Sequence, residues 1–367
     1  MKKNELLDRM RAGTLSRRQF AQILAGAGLA FTTMGTRGAR AADDQAVYFT
    51  WSGYDDPGFF PGYVKKYGVN PALPVFATAD EALTKIRGGF QVDVAHPCNL
   101  DLKRWREADV LQPIDTSRLA NWKDLFPSLT KVAYANDDGK QYFVPIDWGN
   151  TSVLYRPDLV DIKEESWSLL FDERYKGKLS MSGDAADAVP IAGIVNGAKD
   201  PFNMTADELT AAKALLLKQK PLLRFYWDSN TTVEQSLQSG EIVASSAWNS
   251  SLYTLQGQGV NVKFMNPPKE GIMAYVCGLV IAKNAPHLDK AYDLIDAISS
   301  PEAGVWLINY GYGHSNKKAL ELAGDDLLKK RSLPKDPDAF FAKCILQKPM
   351  ENVDNVLKMF EEVKASA

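Results

Sequence analysis

The amino-acid sequence predicts an α/β protein built from two domains. Short apolar segments rich in β-branched and aromatic residues alternate with helical segments along the chain, which is typical of covered sheets. The 367 residues are enough for two hydrophobic cores. No internal repeat or low-complexity linker separates two halves. Because no linker separates the two domains, we expect the chain to cross between them more than once.

The first half of the predicted core contains four strands and two helices. Each predicted strand ends at a turn residue or a proline, and Thr78 and Gly88-Gly89 mark the start and stop of the first helix. We predict strands over 46–51, 92–95, 141–146 and 151–155, and helices over 78–87 and 100–108. On this prediction, Trp148-Gly-Asn-Thr151 is the turn that joins the last two strands.

The second half contains clearer helix signals. Thr205 and Glu208 have the spacing of a capping box, and Pro301 stands in the first turn of another predicted helix. We predict helices over 205–218, 232–240, 299–311 and, interrupted at Pro349, 340–364. The apolar runs predict strands over 242–246 and 276–282.

The N-terminus carries the pattern of an export signal. Two adjacent arginines in Ser16-Arg17-Arg18-Gln19-Phe20 precede a weakly apolar run, and Ala39-Arg40-Ala41 follows as a small-residue cleavage site. The paired arginines match the twin-arginine signal, which directs folded proteins across the bacterial inner membrane. We therefore predict that residues 1–41 are a twin-arginine signal peptide, that the export machinery is a partner, and that the protein works in the periplasm.

The charge balance excludes some classes of partner. Without residues 1–41, 35 basic and 43 acidic residues remain, a formal net charge of −8. This acidic balance argues against binding to nucleic acid or anionic membranes and is compatible with a cationic ligand. No apolar run after residue 41 has the roughly 18–20 residues that a membrane span requires. We expect a soluble monomer.

A search for catalytic and cofactor motifs is negative. The chain has no G-x-S-x-G, H-E-x-x-H, P-loop or strand-linked G-x-G-x-x-G pattern, so we predict neither an enzyme nor a cofactor or metal site. Cys98, Cys277 and Cys344 are far apart in the sequence and have no metal-type spacing. Either one disulfide with a leftover thiol or three unpaired thiols is compatible with this pattern.

Aromatic residues recur where predicted strands or helices end. The residues are Trp51, Tyr54, Trp248, Tyr275 and Tyr312. Ligands of open α/β sheets bind beyond the carboxyl ends of strands, and aromatic faces hold organic ammonium ions. Asp184 and Asp187 have the spacing that places two acids on one face of a helix. They either bind such a ligand, or Asp184 is a helix cap and both acids interact with the helix dipole.

The order of several short motifs resembles that of the periplasmic spermidine/putrescine-binding proteins of ABC importers, a branch of the extracellular solute-binding family that includes opine and amino-acid receptors. The motifs are Tyr48-Phe-Thr-Trp-Ser-Gly-Tyr54, Asp93-Val-Ala-His-Pro97, Leu111-Gln-Pro-Ile-Asp115, Val144-Pro-Ile-Asp-Trp-Gly149, Tyr175-Lys-Gly-Lys178, Ala247-Trp-Asn249, Pro267-Pro-Lys-Glu-Gly271 and Gly311-Tyr312. The resemblance implies a two-lobed periplasmic-binding-protein fold of type II, with the ligand cleft between the lobes. It implies lobe 1 over 42–150 plus 276–320, lobe 2 over 151–275, and a C-terminal helical segment over 321–367 that packs across both.

The resemblance also implies a set of ligand-binding residues. By position these are Trp51, Tyr54, Asp184, Asp187, Trp248, Tyr275, Tyr312 and Gln347. Two acids of polyamine binders are missing, because Gly53 and Cys277 stand in their places. This loss leaves two ligand hypotheses: a polyamine, or a zwitterion such as a γ-amino acid or opine. Arg224 either binds the carboxylate of a zwitterion or is a surface arginine near a strand end. We expect Asp187 to contribute more than Asp228 to binding a cation.

The expected function is that of a periplasmic substrate-binding protein that captures a small amine-bearing solute and delivers it to an ABC permease. A periplasmic enzyme exported in its folded state is the alternative from another class, because twin-arginine export is typical of folded cofactor enzymes.

Overall fold

A mixed β-sheet runs through the part of the chain that the computed structural model describes, residues 44–366. The contacts group residues from Ala46 onward into one unit, whereas Asp44 and Gln45 belong to the preceding one. The predicted signal peptide, 1–41, lies outside the described residues. The main path of the sheet has the strand order β2-β1-β3-β12-β7-β10-β8-β9.

The strands vary greatly in length. In chain order they are β1 (Tyr48–Trp51), β2 (Val75–Phe76), β3 (Val94–Ala95), β4 (Leu111–Gln112), β5 (Asn136–Asp137), β6 (Lys140–Gln141), β7 (Val144–Tyr155), β8 (Leu179–Ser182), β9 (Leu223–Trp227), β10 (Ala244–Trp248), β11 (Lys263–Phe264), β12 (Met273–Ala282), β13 (Gly313–His314) and β14 (Ile345–Leu346). The strands β5 and β6 pair only with each other, as a separate hairpin.

Helices pack against this sheet throughout the described region. They are α1 (Pro61–Tyr67), α2 (Ala79–Arg87), α3 (Leu102–Glu107), α4 (Ala185–Val195), α5 (Ala206–Gln219), α6 (Asn230–Ser239), α7 (Asn249–Gly257), α8 (Leu288–Ile298), α9 (Pro301–Asn309), α10 (Lys317–Lys330), α11 (Pro337–Phe341) and α12 (Val353–Ala365). The capping box of Thr205 and Glu208 forms as predicted and starts α5. Thr78 caps α2, accepting a hydrogen bond from the backbone N–H of Glu81.

Two long buried strands hold the sheet together. Every residue of β7 and of β12 is buried, and the two strands pair antiparallel from Val144 to Thr151 of β7. Beyond Thr151, β7 continues alongside β10. One large hydrophobic cluster contains side chains of β8, α4, α5 and α12, and another contains side chains of β1, α1, α8 and α9. The predicted α/β class is confirmed.

The predicted turn at Trp148-Gly-Asn-Thr151 is wrong, because these residues lie inside β7. Glycine and asparagine are poor strand formers, but the tertiary environment selects them here. A Cβ atom at Gly149 would lie 2.6 Å from the hydroxyl of Tyr275. The backbone N–H of Asn150 donates to the side chain of Asn249 at 3.3 Å. The long-range pairing with β12 therefore overrides the local turn preference.

The predicted helix over 340–364 is also wrong in its first part. The chain there forms the short α11 and then β14, before α12 begins at Val353. Ile345 and Leu346 pair in parallel with Met273 and Ala274 of β12. This pairing is non-local, so the helical composition of the segment does not reveal it. The remaining predicted elements are present, with ends shifted by a few residues.

Candidate functional site

One cavity of about 320 Å³ lies where the ends of the central strands meet the start of α4. Eight of the nine residues predicted to bind ligand line it: Trp51, Tyr54, Asp184, Asp187, Trp248, Tyr275, Tyr312 and Gln347. These residues come from distant parts of the sequence, so the fold, rather than local sequence, brings them together. Their binding roles stay predictions.

Arg224 is the ninth, and the structure does not bring it to this cavity. Its side chain extends from β9 and is 56% exposed. Its Nε atom donates to Oε1 of Glu241 at 2.7 Å. A guanidinium group already paired on the surface is not placed to bind a ligand carboxylate at the cavity. Within residues 44–366, no arginine lines the cavity.

Asp184 and Asp187 form an acidic pair at the start of α4. Asp184 is the N-cap, because its Oδ1 atom accepts a hydrogen bond from the backbone N–H of Ala186 at 2.9 Å. Asp187 lies in the first turn, and the side-chain amide of Gln347 donates to its Oδ1. Burial raises the pKa of Asp184 to about 6. Burial, together with the charge of Asp184, raises the pKa of Asp187 to about 7. Asp184 therefore serves as a cap and also faces the cavity.

Three further aspartates that were not predicted to bind ligand also line the cavity, namely Asp101, Asp147 and Asp228. Asp101 is buried, and its Oδ2 atom accepts from the backbone N–H of Cys98 at 3.1 Å. Burial and the nearby charge of Asp184 raise the pKa of Asp101. Asp228 lines the cavity as well. It therefore cannot serve as a control from outside the site for the contribution of Asp187. Asp147 could have been noticed in the sequence because it is an acidic residue within a run of apolar strand residues.

Asp147 is part of a buried hydrogen-bond network. The hydroxyl of Tyr54 donates to its Oδ2 atom at 2.8 Å, and Nε2 of His96 lies 2.8 Å from its Oδ1 atom. The other ring nitrogen of His96 lies 2.9 Å from the hydroxyl of Tyr48 and 3.1 Å from that of Thr50. Asp147 and His96 are both fully buried. The network fixes the position of a carboxylate at the cavity wall.

Aromatic rings form much of the remaining wall. The rings of Trp51 and Trp248 meet edge to face with centroids 6.1 Å apart, and those of Tyr54 and Tyr312 are 5.7 Å apart. Burial raises the pKa of Tyr54, Tyr275 and Tyr312 above the usual range for tyrosine, so these phenols stay neutral. Neutral aromatic faces next to carboxylates favour an organic cation.

Cys98 and Cys277 form a disulfide that also lines the cavity. This bond decides between the two cysteine patterns that the sequence left open. Cys344 is the free cysteine among the described residues, and burial raises the pKa of its thiol to about 11. The disulfide joins the segment after β3 to the middle of β12, next to Asp147 on the neighbouring strand.

The cavity is rich in acidic side chains. Among the residues that the structure describes, five aspartates and one lysine, Lys364, line it; the ammonium of Lys364 lies 2.7 Å from Oε1 of Glu361. Within residues 44–366, no cluster of His, Cys, Asp or Glu side chains has an arrangement that could hold a metal ion. No helix in that range has the length and hydropathy of a membrane span.

Comparison with known proteins agrees with this geometry. Residues 77–337 match the family model of bacterial extracellular solute-binding proteins. The chain is 30% identical over 346 residues to the putrescine/agmatine-binding protein of Pseudomonas aeruginosa, covering 86% of this chain and 90% of that protein.

Two solved structures have the same fold, which confirms the predicted two-lobed fold of periplasmic binding proteins. One is a putative spermidine/putrescine ABC transporter protein of Listeria monocytogenes, with a TM-score of 0.78, 20% identity, and coverage of 88% of this chain and 99% of the other. The second is MotA of A. tumefaciens B6 in complex with glucopine, with a TM-score of 0.74, 19% identity, and coverage of 87% and 99%. The match over most of the chain thus confirms the family that the motifs predicted: this chain belongs to the bacterial extracellular solute-binding proteins.

Proposed function

We propose that this protein captures a small organic cation with more than one cationic nitrogen, of the putrescine and agmatine class, and delivers it to an ABC permease in the inner membrane. The observation that carries the proposal is the lining of the cavity: among the described residues, five aspartates and several aromatic side chains line it together, and its lysine, Lys364, is paired with Glu361.

Electrostatics favour such a ligand. A buried carboxylate without a cationic partner is costly, and an ammonium or guanidinium group supplies the missing charge. Micromolar affinity requires about −8 kcal/mol. Each cation–π contact contributes about 0.5–2 kcal/mol, so two charge-assisted hydrogen bonds and a few aromatic contacts are sufficient.

The zwitterion hypothesis has weaker support. A γ-amino acid or opine presents a carboxylate, which needs a cationic partner at the cavity. Arg224 is paired with Glu241 outside the cavity, and Lys364 is paired with Glu361. The name of the relative from Pseudomonas aeruginosa gives putrescine and agmatine as its ligands, which supports the polyamine hypothesis. The fold is shared with a glucopine-bound protein, so the fold alone does not choose between them.

The proposal includes the location and the lobes. Export by the twin-arginine machinery, with residues 1–41 removed, would place the protein in the periplasm as a monomer beside its permease. Lobe 1 would contain 42–150 plus 276–320, lobe 2 would contain 151–275, and 321–367 would pack across both. Closure of the two lobes around the ligand is the expected mode of binding. Replacing Arg17 and Arg18 with lysine should abolish export of the protein to the periplasm.

Isothermal titration calorimetry tests the ligand class. The purified protein is unfolded and refolded to remove bound ligand, then titrated with putrescine, agmatine, spermidine, γ-aminobutyrate and glucopine. We expect micromolar or tighter binding of the di- and polycations and no measurable binding of the zwitterions. Tighter binding of γ-aminobutyrate than of putrescine would overturn the proposal. The same titration with Asp187→Asn should show weaker binding of every cation.

A further inference from the structure

We infer that Asp147, held in position by His96 and Tyr54, is a second cation-binding carboxylate of the cavity, distinct from the Asp184–Asp187 pair. The inference rests on the proposed function and deepens it, because it identifies the residues that would make the site prefer ligands with two cationic groups.

The first support is the position of the carboxylate. Asp147 is part of β7, whereas Asp184 and Asp187 belong to the start of α4. The hydrogen bonds of Asp147 involve neither of those acids. It is fully buried in the sheet, yet it lines the cavity. A ligand group that contacts Asp147 therefore interacts with a different wall from one that contacts Asp187.

The second support is the unused capacity of this carboxylate. Each oxygen of Asp147 has one protein partner, Tyr54 or His96, and a carboxylate has about four acceptor positions. Among the described residues no lysine or arginine forms an ion pair with Asp147; the imidazole of His96 is its nitrogen partner. The carboxylate can accept further hydrogen bonds from a cationic ligand.

The third support is the aromatic environment. The ring of Tyr54, which donates to Asp147, lies 5.7 Å from the ring of Tyr312. The charges of both Asp147 and Asp187 add to the burial that raises the pKa of Tyr275, so this phenol lies within the field of both carboxylates. A cation beside Asp147 would meet a carboxylate and aromatic faces together, the combination that binds ammonium groups.

His96 has a positioning role in this arrangement. One ring nitrogen faces Asp147, and the other faces the hydroxyls of Tyr48 and Thr50. The ring is thereby held from both sides, and it holds the carboxylate in turn. Loss of His96 would leave the charge of Asp147 in place but free its orientation.

The test compares a diamine with a monoamine of the same length. Putrescine and n-butylamine are titrated against the wild type and Asp147→Asn, a nearly isosteric change. We expect putrescine to bind about 30-fold more weakly to the variant, while n-butylamine changes by less than about threefold, because the monoamine can use the Asp184–Asp187 pair. His96→Gln should lower the ratio of the two affinities in the same direction by a smaller factor.

Asp93→Asn is a matched control. Asp93 is also a fully buried aspartate next to a histidine, with its Oδ2 atom 3.1 Å from Nδ1 of His287, but it does not line the cavity. This variant should leave the affinity ratio at the wild-type value. Should Asp147→Asn fail to fold, Tyr54→Phe removes one of the two hydrogen bonds and keeps the ring, and it must also lower the ratio.

The outcomes separate the two proposals. A wild type that binds neither putrescine nor agmatine refutes the proposed function. A wild type that binds putrescine, together with an Asp147→Asn variant that has the same affinity ratio, refutes the role of Asp147 and leaves the proposed function intact.

Discussion

The side-chain amide of Gln347 donates a hydrogen bond to Oδ1 of Asp187 at 3.2 Å, joining residues 160 positions apart. Gln347 reaches this position because its backbone N–H also donates to the carbonyl of Ala274 in β12, at 2.8 Å. The C-terminal segment is therefore part of the cavity wall. An uncharged amide is the partner of Asp187, so the carboxylate remains available to a cation.

Binding of putrescine should strengthen as the pH rises from 5.5 to 8. In the free protein the pKa of Asp187 is raised to about 7 and that of Asp184 to about 6, so both acids carry protons at low pH. A cationic ligand favours the charged carboxylates, so binding releases protons. Below pH 6 the affinity should fall about tenfold per pH unit for each proton released. Calorimetry in buffers of different ionisation enthalpy counts these protons.

Asp187→Asn provides the control for this pH dependence. The variant should bind more weakly at pH 8 and show a much shallower pH dependence, because it lacks the aspartate whose pKa is raised to about 7, while Asp184, with a pKa of about 6, remains. A variant with the wild-type slope would contradict the assignment of the slope to Asp187.

Trp248→Ala should weaken putrescine binding by about 10- to 30-fold, because the cavity loses an aromatic face. The ring is held edge to face by Trp51 and Trp227, with centroids at 6.1 and 5.6 Å, so it has little freedom to reorient. Trp248→Phe should recover most of the loss. Trp122→Ala, which removes a partly buried tryptophan outside the cavity, should leave the affinity unchanged. Equal losses in both alanine variants would indicate a general effect on folding.

Removing the disulfide should destabilise the protein without abolishing ligand binding. Cys98 and Cys277 are 179 residues apart, so the bond closes a long loop in the unfolded chain. Such bonds contribute about 2–5 kcal/mol. We expect the double variant Cys98→Ser/Cys277→Ser, and the wild type in reductant, to melt at the same lowered temperature. Cys344→Ser is the control and should melt like the wild type. A melting temperature insensitive to reductant would contradict the bond.

Arg224→Ala should leave the affinity for every ligand unchanged within about twofold. The guanidinium is exposed and paired with Glu241, and exposed ion pairs contribute little to stability because solvent screens them. Thermal melting and titration with γ-aminobutyrate and putrescine measure both effects. If the wild type instead binds γ-aminobutyrate and the variant does not, the hypothesis that Arg224 contacts a ligand carboxylate is supported.

Local sequence signals predicted much of the fold. The cap at Thr78 and the capping box at Thr205 mark helices because their hydrogen bonds are made within one turn. The continuity of β7 and the insertion of β14 could not be predicted this way, since both depend on pairing with β12. A segment that becomes a strand through long-range pairing does not have to show a strand-like periodicity in its own sequence.

The sequence predicted some of the residues that line the cavity and missed others. Aromatic residues at strand ends and the acids at Asp184 and Asp187 indicated a cavity for a cation, and the structure groups them. Asp101 and Asp147 were missed because neither has a second acid at helical spacing, which was the pattern that identified Asp184 and Asp187. Arg224 was selected on its residue type alone, and the direction of its side chain is a property of β9 and its partner Glu241.

Gly149 connects the backbone of β7 to the selectivity of the cavity. A methyl group in place of the second α-hydrogen of Gly149 would lie 2.6 Å from the hydroxyl of Tyr275 and 2.7 Å from Oδ1 of Asn249. An alanine at this position would push the phenol of Tyr275, a wall residue, away from the strand. The shape available to the ligand is thus controlled by a residue that does not line the cavity. In the evolution of new specificities, such a position can change which solute fits while every cavity-lining side chain is retained.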